Sequence, residues 1–119
     1  MPRSLDDLVN RWAQLAEHAA TYNLSLDDWL NDLDLRDIIS RRVSQTPDEL
    51  TLEIEARLTY ADQAFRAATL ESKQSLWGPT AGGEHHASRE WWYFRYPAFP
   101  GPSMRRDLEI AGILRRLSH

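Results

Sequence analysis

Hydrophobic residues recur at every third or fourth position over most of the chain, a spacing typical of α-helices. The clearest stretch begins after Ser4, where Asp7 completes a capping-box-like pattern and adds negative charge at the helix N-terminus. The apolar stripe continues to Tyr22, and Asn23 suits a left-handed stop. A first helix is therefore predicted over residues 5–22.

The next apolar pattern changes register near its middle. Ser25 with Asp28 repeats the start signal, and apolar residues then share one face for two turns. From Leu35 the pattern shifts, as if Asp34 capped a second short helix. A single bent helix through the same residues is the alternative. The two predicted helices are 26–33 and 35–43.

The third pattern opens with a strong start signal. Thr46 is predicted as the N-cap, Pro47 occupies the first helical position, and Glu49 closes a capping box. Neither Gly nor Pro follows until Gly78, so one helix is predicted over 47–76. The first helix is too short to cover the apolar face of this helix along its full length. The remainder is expected to be covered by the rest of the chain or by a second copy.

The remaining residues predict a loop, an extended segment and a last helix. Residues 78–90 are rich in Gly and read as a mobile loop, whereas the aromatic segment 91–96 favours an extended strand. A further apolar stripe predicts a helix over 104–117. The predicted fold is mainly α: a single domain over 1–119, built as a bundle of four to five helices with the aromatic segment packed across it.

The aromatic segment is the first candidate site. Side chains alternate along an extended strand, so one set packs on the helices while the other is exposed or meets a partner. Trp, Tyr and Arg are enriched at interface hot spots, and an unpaired strand edge can pair with a second chain. The alternative is that the loop and the last helix cover both faces. The candidate partner-binding residues are Trp91, Trp92, Tyr93, Phe94, Arg95 and Tyr96.

Acidic residues form the second candidate site. The net charge is −4, and the first 60 residues hold six Arg against twelve Asp and Glu. Asp27, Asp28 and Asp32 are predicted as a docking face for a basic partner. The competing interpretation is that these aspartates, with Asp34 and Asp37, serve as helix caps and first-turn charges. Their spacing does not match a calcium loop, and no metal site is predicted.

Other chemistry is weakly supported by the residue pattern. There is no cysteine, and Glu84, His85 and His86 lie in a glycine-rich loop without helical spacing, although that loop could order on binding. A helical metal-dependent hydrolase, using carboxylates such as Asp28 and Glu53, is one alternative. Base stacking on single-stranded nucleic acid by the aromatic segment is another. It is disfavoured because the chain has one lysine and no basic stripe.

Composition completes the prediction. Apolar residues make up 42% and charged residues 27% of the chain, no stretch is apolar enough to span a membrane, and no secretory signal is evident. Thirteen of the 14 basic residues are Arg, which favours a GC-rich bacterial source. We expect a cytoplasmic, non-enzymatic protein without a cofactor that binds another protein as a regulator, accessory subunit or immunity-type inhibitor. A homodimer is the preferred oligomer.

Overall fold

A computed structural model of the protein describes residues 3–77 and 89–114. Within them, the predicted mainly α fold with the aromatic segment packed across the helices is confirmed. Predicted features at 78–88 and 115–119, including Glu84, His85 and His86, lie outside the described residues. The α-helices are α1 (Leu5–His18), α2 (Leu26–Gln45), α3 (Leu52–Ala68) and α4 (Pro102–Ile110). The strands are β1 (Thr69–Glu71) and β2 (Arg95–Pro97); short 3₁₀ turns cover Ala19–Thr21, Pro47–Glu49 and Trp91–Phe94.

The first helix begins as predicted. The Ser4 hydroxyl accepts a hydrogen bond from the backbone N–H of Asp7, which satisfies one of the free donors at the N-terminus of α1. The α-helix ends at His18 rather than at the predicted residue 22, and the chain continues as the 3₁₀ turn Ala19–Thr21. The predicted left-handed stop at Asn23 is wrong, because no described residue other than glycine has a positive φ. Its buried face consists of Leu5, Leu8, Val9, Trp12 and Ala16.

The prediction of two helices over 26–33 and 35–43 is wrong, because α2 is one helix. Its start at the Ser25–Asp28 capping box is confirmed, whereas Asp34 lies inside the helix and caps nothing. No Gly or Pro interrupts residues 26–45, so the backbone has no reason to stop there. The apparent change of register arises because Leu35 and Ile38 lie on the less buried side of a continuous helix.

The start predicted for the third helix is also wrong. Residues 47–49 make only a 3₁₀ turn, and the Thr46 side chain forms no capping bond. The Glu49 carboxylate accepts instead from the backbone N–H of Leu5 at 2.8 Å and from the Arg42 guanidinium at 2.8 Å. The true N-cap of α3 is Thr51, whose hydroxyl accepts from the N–H of Ile54 at 3.2 Å.

This assignment of the N-cap predicts unequal effects of two similar substitutions. Thr51→Ala is expected to lower the free energy of unfolding by about 1 kcal/mol, because it removes a capping acceptor. Thr46→Ala is the matched control and is expected to change it by less than about 0.5 kcal/mol. Urea denaturation followed by far-ultraviolet circular dichroism measures both. A larger loss for Thr46→Ala than for Thr51→Ala would contradict the assignment.

The third helix ends earlier than the predicted residue 76. At Thr69 the chain becomes extended and β1 pairs antiparallel with β2, with Thr69 opposite Pro97 and Leu70 opposite Tyr96. The Thr69 hydroxyl donates to the carbonyl of Phe65, the residue four positions earlier. Pairing with a segment more than twenty residues away therefore replaces the last two turns of the predicted helix.

The last helix is shorter than predicted. Hydrogen bonds connect it and its N-cap to α2 and to Tyr22, which follows the 3₁₀ turn after α1. It begins at Pro102 and its last helical residue is Ile110, after which Gly112 adopts a φ of 77° that favours glycine. The Asp107 carboxylate accepts from the N–H of Leu26 at 3.0 Å and so caps the start of α2. The Gly101 N–H donates to the carbonyl of Tyr22 at 3.1 Å.

The core is centred on aromatic side chains from three helices. Trp12, Trp29 and Phe65 are fully buried. The Phe65 ring centroid lies 4.7 Å from that of Trp12 and 5.6 Å from that of Trp29, which it meets nearly parallel. Aromatic pairs at these separations add stabilisation beyond simple burial of area. The aromatic segment packs against this cluster.

Candidate functional site

The aromatic segment has two conformations rather than one. Trp91–Phe94 form a 3₁₀ turn and only Arg95–Pro97 are extended. The predicted alternation of side chains along 91–96 is therefore wrong for its first four residues. Trp92, Tyr93 and Phe94 are buried, whereas Trp91, Arg95 and Tyr96 are half-buried. Burial of the three central side chains follows the alternative in which aromatics fill the core.

Each end of the segment is held by the helices. The Trp91 ring meets Phe65 edge-on with centroids 5.9 Å apart, and the Arg66 guanidinium lies 4.0 Å from the Trp91 ring centroid. The Trp29 indole N–H donates to the carbonyl of Arg95 at 3.0 Å. The segment is thus fixed to α2 and α3 by both apolar and polar contacts.

Arg95 is committed to the protein itself. Its guanidinium donates to the Thr69 hydroxyl at 2.7 Å and to the carbonyls of Thr69 and Arg66. Burial lowers the pKa of Arg95 from its ordinary value. Its Nε and one terminal nitrogen are therefore engaged by α3 and β1.

Tyrosine hydroxyls connect the aromatic residues to the acidic residues of α2. Tyr93 donates to the Asp34 carboxylate and Tyr22 donates to the Asp32 carboxylate. Burial, reinforced by these carboxylates, raises the pKa of both tyrosines well above the usual range. Both hydroxyls therefore stay protonated at neutral pH and remain hydrogen-bond donors.

The predicted acidic docking face, Asp27, Asp28 and Asp32, is largely engaged in local structure. The Asp28 carboxylate completes the capping box with Ser25, and Asp32 holds Tyr22. Asp27 lies exposed in the first turn of α2, where it favours the positive end of the helix dipole. The aspartates that line a concave surface with Tyr93 are instead Asp34 and Asp37, two and five residues after Asp32.

That concave surface lies between α2, Tyr93 and Trp77, which follows the end of β1 by six residues. An open groove of about 390 Å³ contains one residue of the predicted aromatic site, Tyr93, and none of the predicted docking aspartates Asp27, Asp28 and Asp32. Ile38 and Trp77 are exposed there, at 48% and 43% of their full area. We call this group the α2 surface. Its residues are Asp34, Asp37, Ile38, Arg41, Trp77 and Tyr93.

A second groove continues the α2 surface on the other side of Ile38. It lies between α1 and α2, has a volume of about 510 Å³, and contains Asp32 and His18 at its polar edge. Ile38 lines both grooves and so forms an apolar ridge between them. Ile38 is thus an exposed apolar residue between two grooves whose linings include the carboxylates of Asp32, Asp34 and Asp37.

Sequence reasoning missed Ile38 and Trp77. With the helix divided at Asp34, Ile38 is one of the apolar positions of the second predicted helix, 35–43. On a continuous helix Ile38 lies nine residues after the buried Trp29, two and a half turns away and so on the opposite side. Trp77 lies just beyond the predicted helix 47–76 and is not among the predicted site residues.

The described residues contain no group of three or more acidic or histidine side chains that could hold a metal ion. Asp62, one of the carboxylates on α3, is instead paired with Arg36 and accepts from the Trp12 indole N–H. In the same part of the chain, no helix combines the length and apolar content required to cross a bilayer. No protein-family model, curated protein or solved structure matches the chain.

Proposed function

We propose that this protein is a non-enzymatic binding module and that it recognises another protein through the α2 surface. The observation that supports this most directly is the exposure of Ile38 and Trp77 beside the carboxylates of Asp34 and Asp37. Large apolar side chains in a groove supply the core of an interface, and charged groups at its edge supply orientation. The surface therefore suits a partner segment that carries an apolar side chain next to a basic one.

The charges of the α2 surface favour a basic partner. Asp37 is paired with Arg41 across one helical turn, and the Arg41 side chain is 71% exposed. Because the Arg41 side chain is in solvent, its ion pair with Asp37 contributes little to stability, and a partner's Lys or Arg can replace Arg41 at small cost. The excess of carboxylates in the first half of the chain adds a wider attractive field.

On this proposal the protein acts in the bacterial cytoplasm as a regulator, an accessory subunit or an immunity-type inhibitor. The absence of cysteine is consistent with a reducing compartment. Each of these roles requires a preformed surface rather than a catalytic group, and α2 is fixed in place by the aromatic core.

Affinity capture with tagged protein tests this proposal. The Ile38→Ala/Trp77→Ala variant is expected to recover at least about ten-fold less of the partner than wild type, because hot-spot side chains in a groove carry most of the binding energy. Recovery is measured by quantitative mass spectrometry from cells that express the protein natively. Both substitutions are at exposed positions, so circular dichroism is expected to show an unchanged fold.

Phe99→Ala is the matched control, because Phe99 is 73% exposed and lies outside the α2 surface. It is expected to recover the partner as wild type does. Equal recovery by all three proteins would contradict the assignment of the α2 surface. Recovery of no protein above a tag-only background would contradict the proposed binding function itself.

A further inference from the structure

The outer face of α3 carries an uncharged stripe that nothing in the described chain covers. Residues on the opposite face, including Ile54, Ala61 and Phe65, are buried in the core. Leu52 is 86% exposed and Tyr60 is 75% exposed, the two highest values among the large apolar residues described. The stripe consists of exposed side chains at helical spacing: Leu52, Ala56, Thr59, Tyr60, Gln63 and Ala67.

The stripe has the pattern of a helix–helix seam. Its members recur at intervals of three and four along α3, with Thr59 beside Tyr60. Residues 52–67 extend about 24 Å along the helix axis. An exposed helix face of this length without a charge is unusual, because solvent-facing sides of surface helices are normally polar and charged.

Charged residues beside the stripe are arranged so that the face complements itself. Glu55 and Arg66 are both exposed and eleven residues apart, which is three turns, so they lie on the same flank. When two identical helices pack antiparallel about a two-fold axis, each flank faces the same flank of the other copy. With the axis near Tyr60, Glu55 of each copy then lies opposite Arg66 of the other.

The other flank contains no opposing like charges in this arrangement. Glu53 lies there, and the register that sets Glu55 opposite Arg66 places Glu53 level with Ala68 rather than with another carboxylate. The Arg66 side chain is exposed, and its guanidinium lies on the Trp91 ring, 4.0 Å from the centroid.

We propose that a second copy of this chain docks antiparallel on the outer stripe of α3. The dimer has two-fold symmetry, with the two Tyr60 side chains near the axis and two Glu55–Arg66 ion pairs at one edge. Tyr60 supplies the kind of large amphipathic side chain that dominates interface energetics. This interface is separate from the α2 surface, so both can be occupied together.

Sedimentation equilibrium with charge-reversal variants tests the dimer. Wild type is expected to form a dimer with a dissociation constant on the order of micromolar, as suits a small interface. Glu55→Arg is expected to weaken it by about ten-fold or more, because it places like charges opposite each other twice. Glu55→Arg/Arg66→Glu exchanges the charges and is expected to restore the affinity to within about three-fold of wild type.

Two further variants separate this proposal from its alternatives. Tyr60→Glu is expected to be monomeric and folded, and Ile38→Ala/Trp77→Ala is expected to dimerise as wild type does. Wild type that stays monomeric well above micromolar concentration would overturn the proposal. A dimer that survives Tyr60→Glu, or one that the charge exchange does not restore, would also overturn it by placing the contact elsewhere. None of these outcomes depends on partner binding at the α2 surface.

Discussion

Trp29→Ala is expected to lower the free energy of unfolding by about 3–5 kcal/mol, the range seen when a large buried aromatic is truncated. Trp29 is fully buried, stacks on Phe65 and meets Tyr22 edge-on. Its indole N–H also donates to the carbonyl of Arg95 and so connects α2 to β2. Truncation therefore removes the centre of the aromatic cluster and one of the contacts that hold the aromatic segment.

Two other substitutions calibrate this result. Trp29→Phe keeps most of the ring but leaves the Arg95 carbonyl without its donor, with an expected loss of about 1–3 kcal/mol. Trp77→Ala removes an exposed tryptophan and is expected to cost less than about 1 kcal/mol. Urea denaturation followed by circular dichroism compares the three. A loss for Trp29→Ala no larger than for Trp77→Ala would show that Trp29 is not in the core.

Asp62→Ala is the second substitution with a large expected effect, about 3–5 kcal/mol of unfolding free energy. Its two carboxylate oxygens accept from the Arg36 guanidinium at 2.9 and 3.0 Å, and one also accepts from the Trp12 indole N–H at 2.8 Å. The Arg36 and Asp62 side chains are only 11% and 19% exposed. Removing the carboxylate leaves a largely buried cation and an indole N–H without an acceptor.

Most of the stability lost in Asp62→Ala is expected to come from leaving Arg36 and the Trp12 indole N–H without an acceptor. A double variant tests this explanation. Arg36→Met/Asp62→Leu removes both charges and is expected to recover at least about half of the stability lost by Asp62→Ala. Asp37→Ala breaks the pair with Arg41, whose side chain is 71% exposed and stays solvated, and is expected to cost less than about 1 kcal/mol. A double variant as unstable as Asp62→Ala would contradict this explanation.

The parts of the fold that depend on neighbouring residues could be predicted from the sequence. Ser4 and Ser25 mark the starts of α1 and α2 because each hydroxyl caps a donor three residues away. The apolar stripe of α1 can be recognised from helical spacing alone, because the helix has one buried face. These signals are complete within a few turns of chain, so they can be read without knowing the tertiary structure.

The parts that failed depend on distant residues. Glu49 does not cap a helix at Thr46 because its carboxylate binds the N–H of Leu5, 44 positions earlier. The third helix stops at Ala68 because Thr69–Glu71 pair with Arg95–Pro97. Local propensity favours a helix in both places, and long-range contacts override it. No spacing rule within the segment could have indicated either outcome.

The candidate site was only partly predictable for the same reason. The aromatic segment and the acidic second helix were each selected from the sequence, but their contact through Tyr93 and Asp34 joins residues 59 positions apart. Ile38 became recognisable as exposed only once α2 was known to be continuous. Of the residues predicted as sites, Tyr93 lines the α2 surface, whereas its aspartates are Asp34 and Asp37 and not the predicted Asp27, Asp28 and Asp32.

Photo-crosslinking from that surface tests the central claim most directly. A benzophenone amino acid replaces Ile38, Trp77 or Phe99 in turn, and adducts are identified after irradiation of living cells. Binding through the α2 surface predicts the same adduct from positions 38 and 77 and none from position 99. An adduct from position 99 alone, or no adduct from 38 and 77, would contradict it.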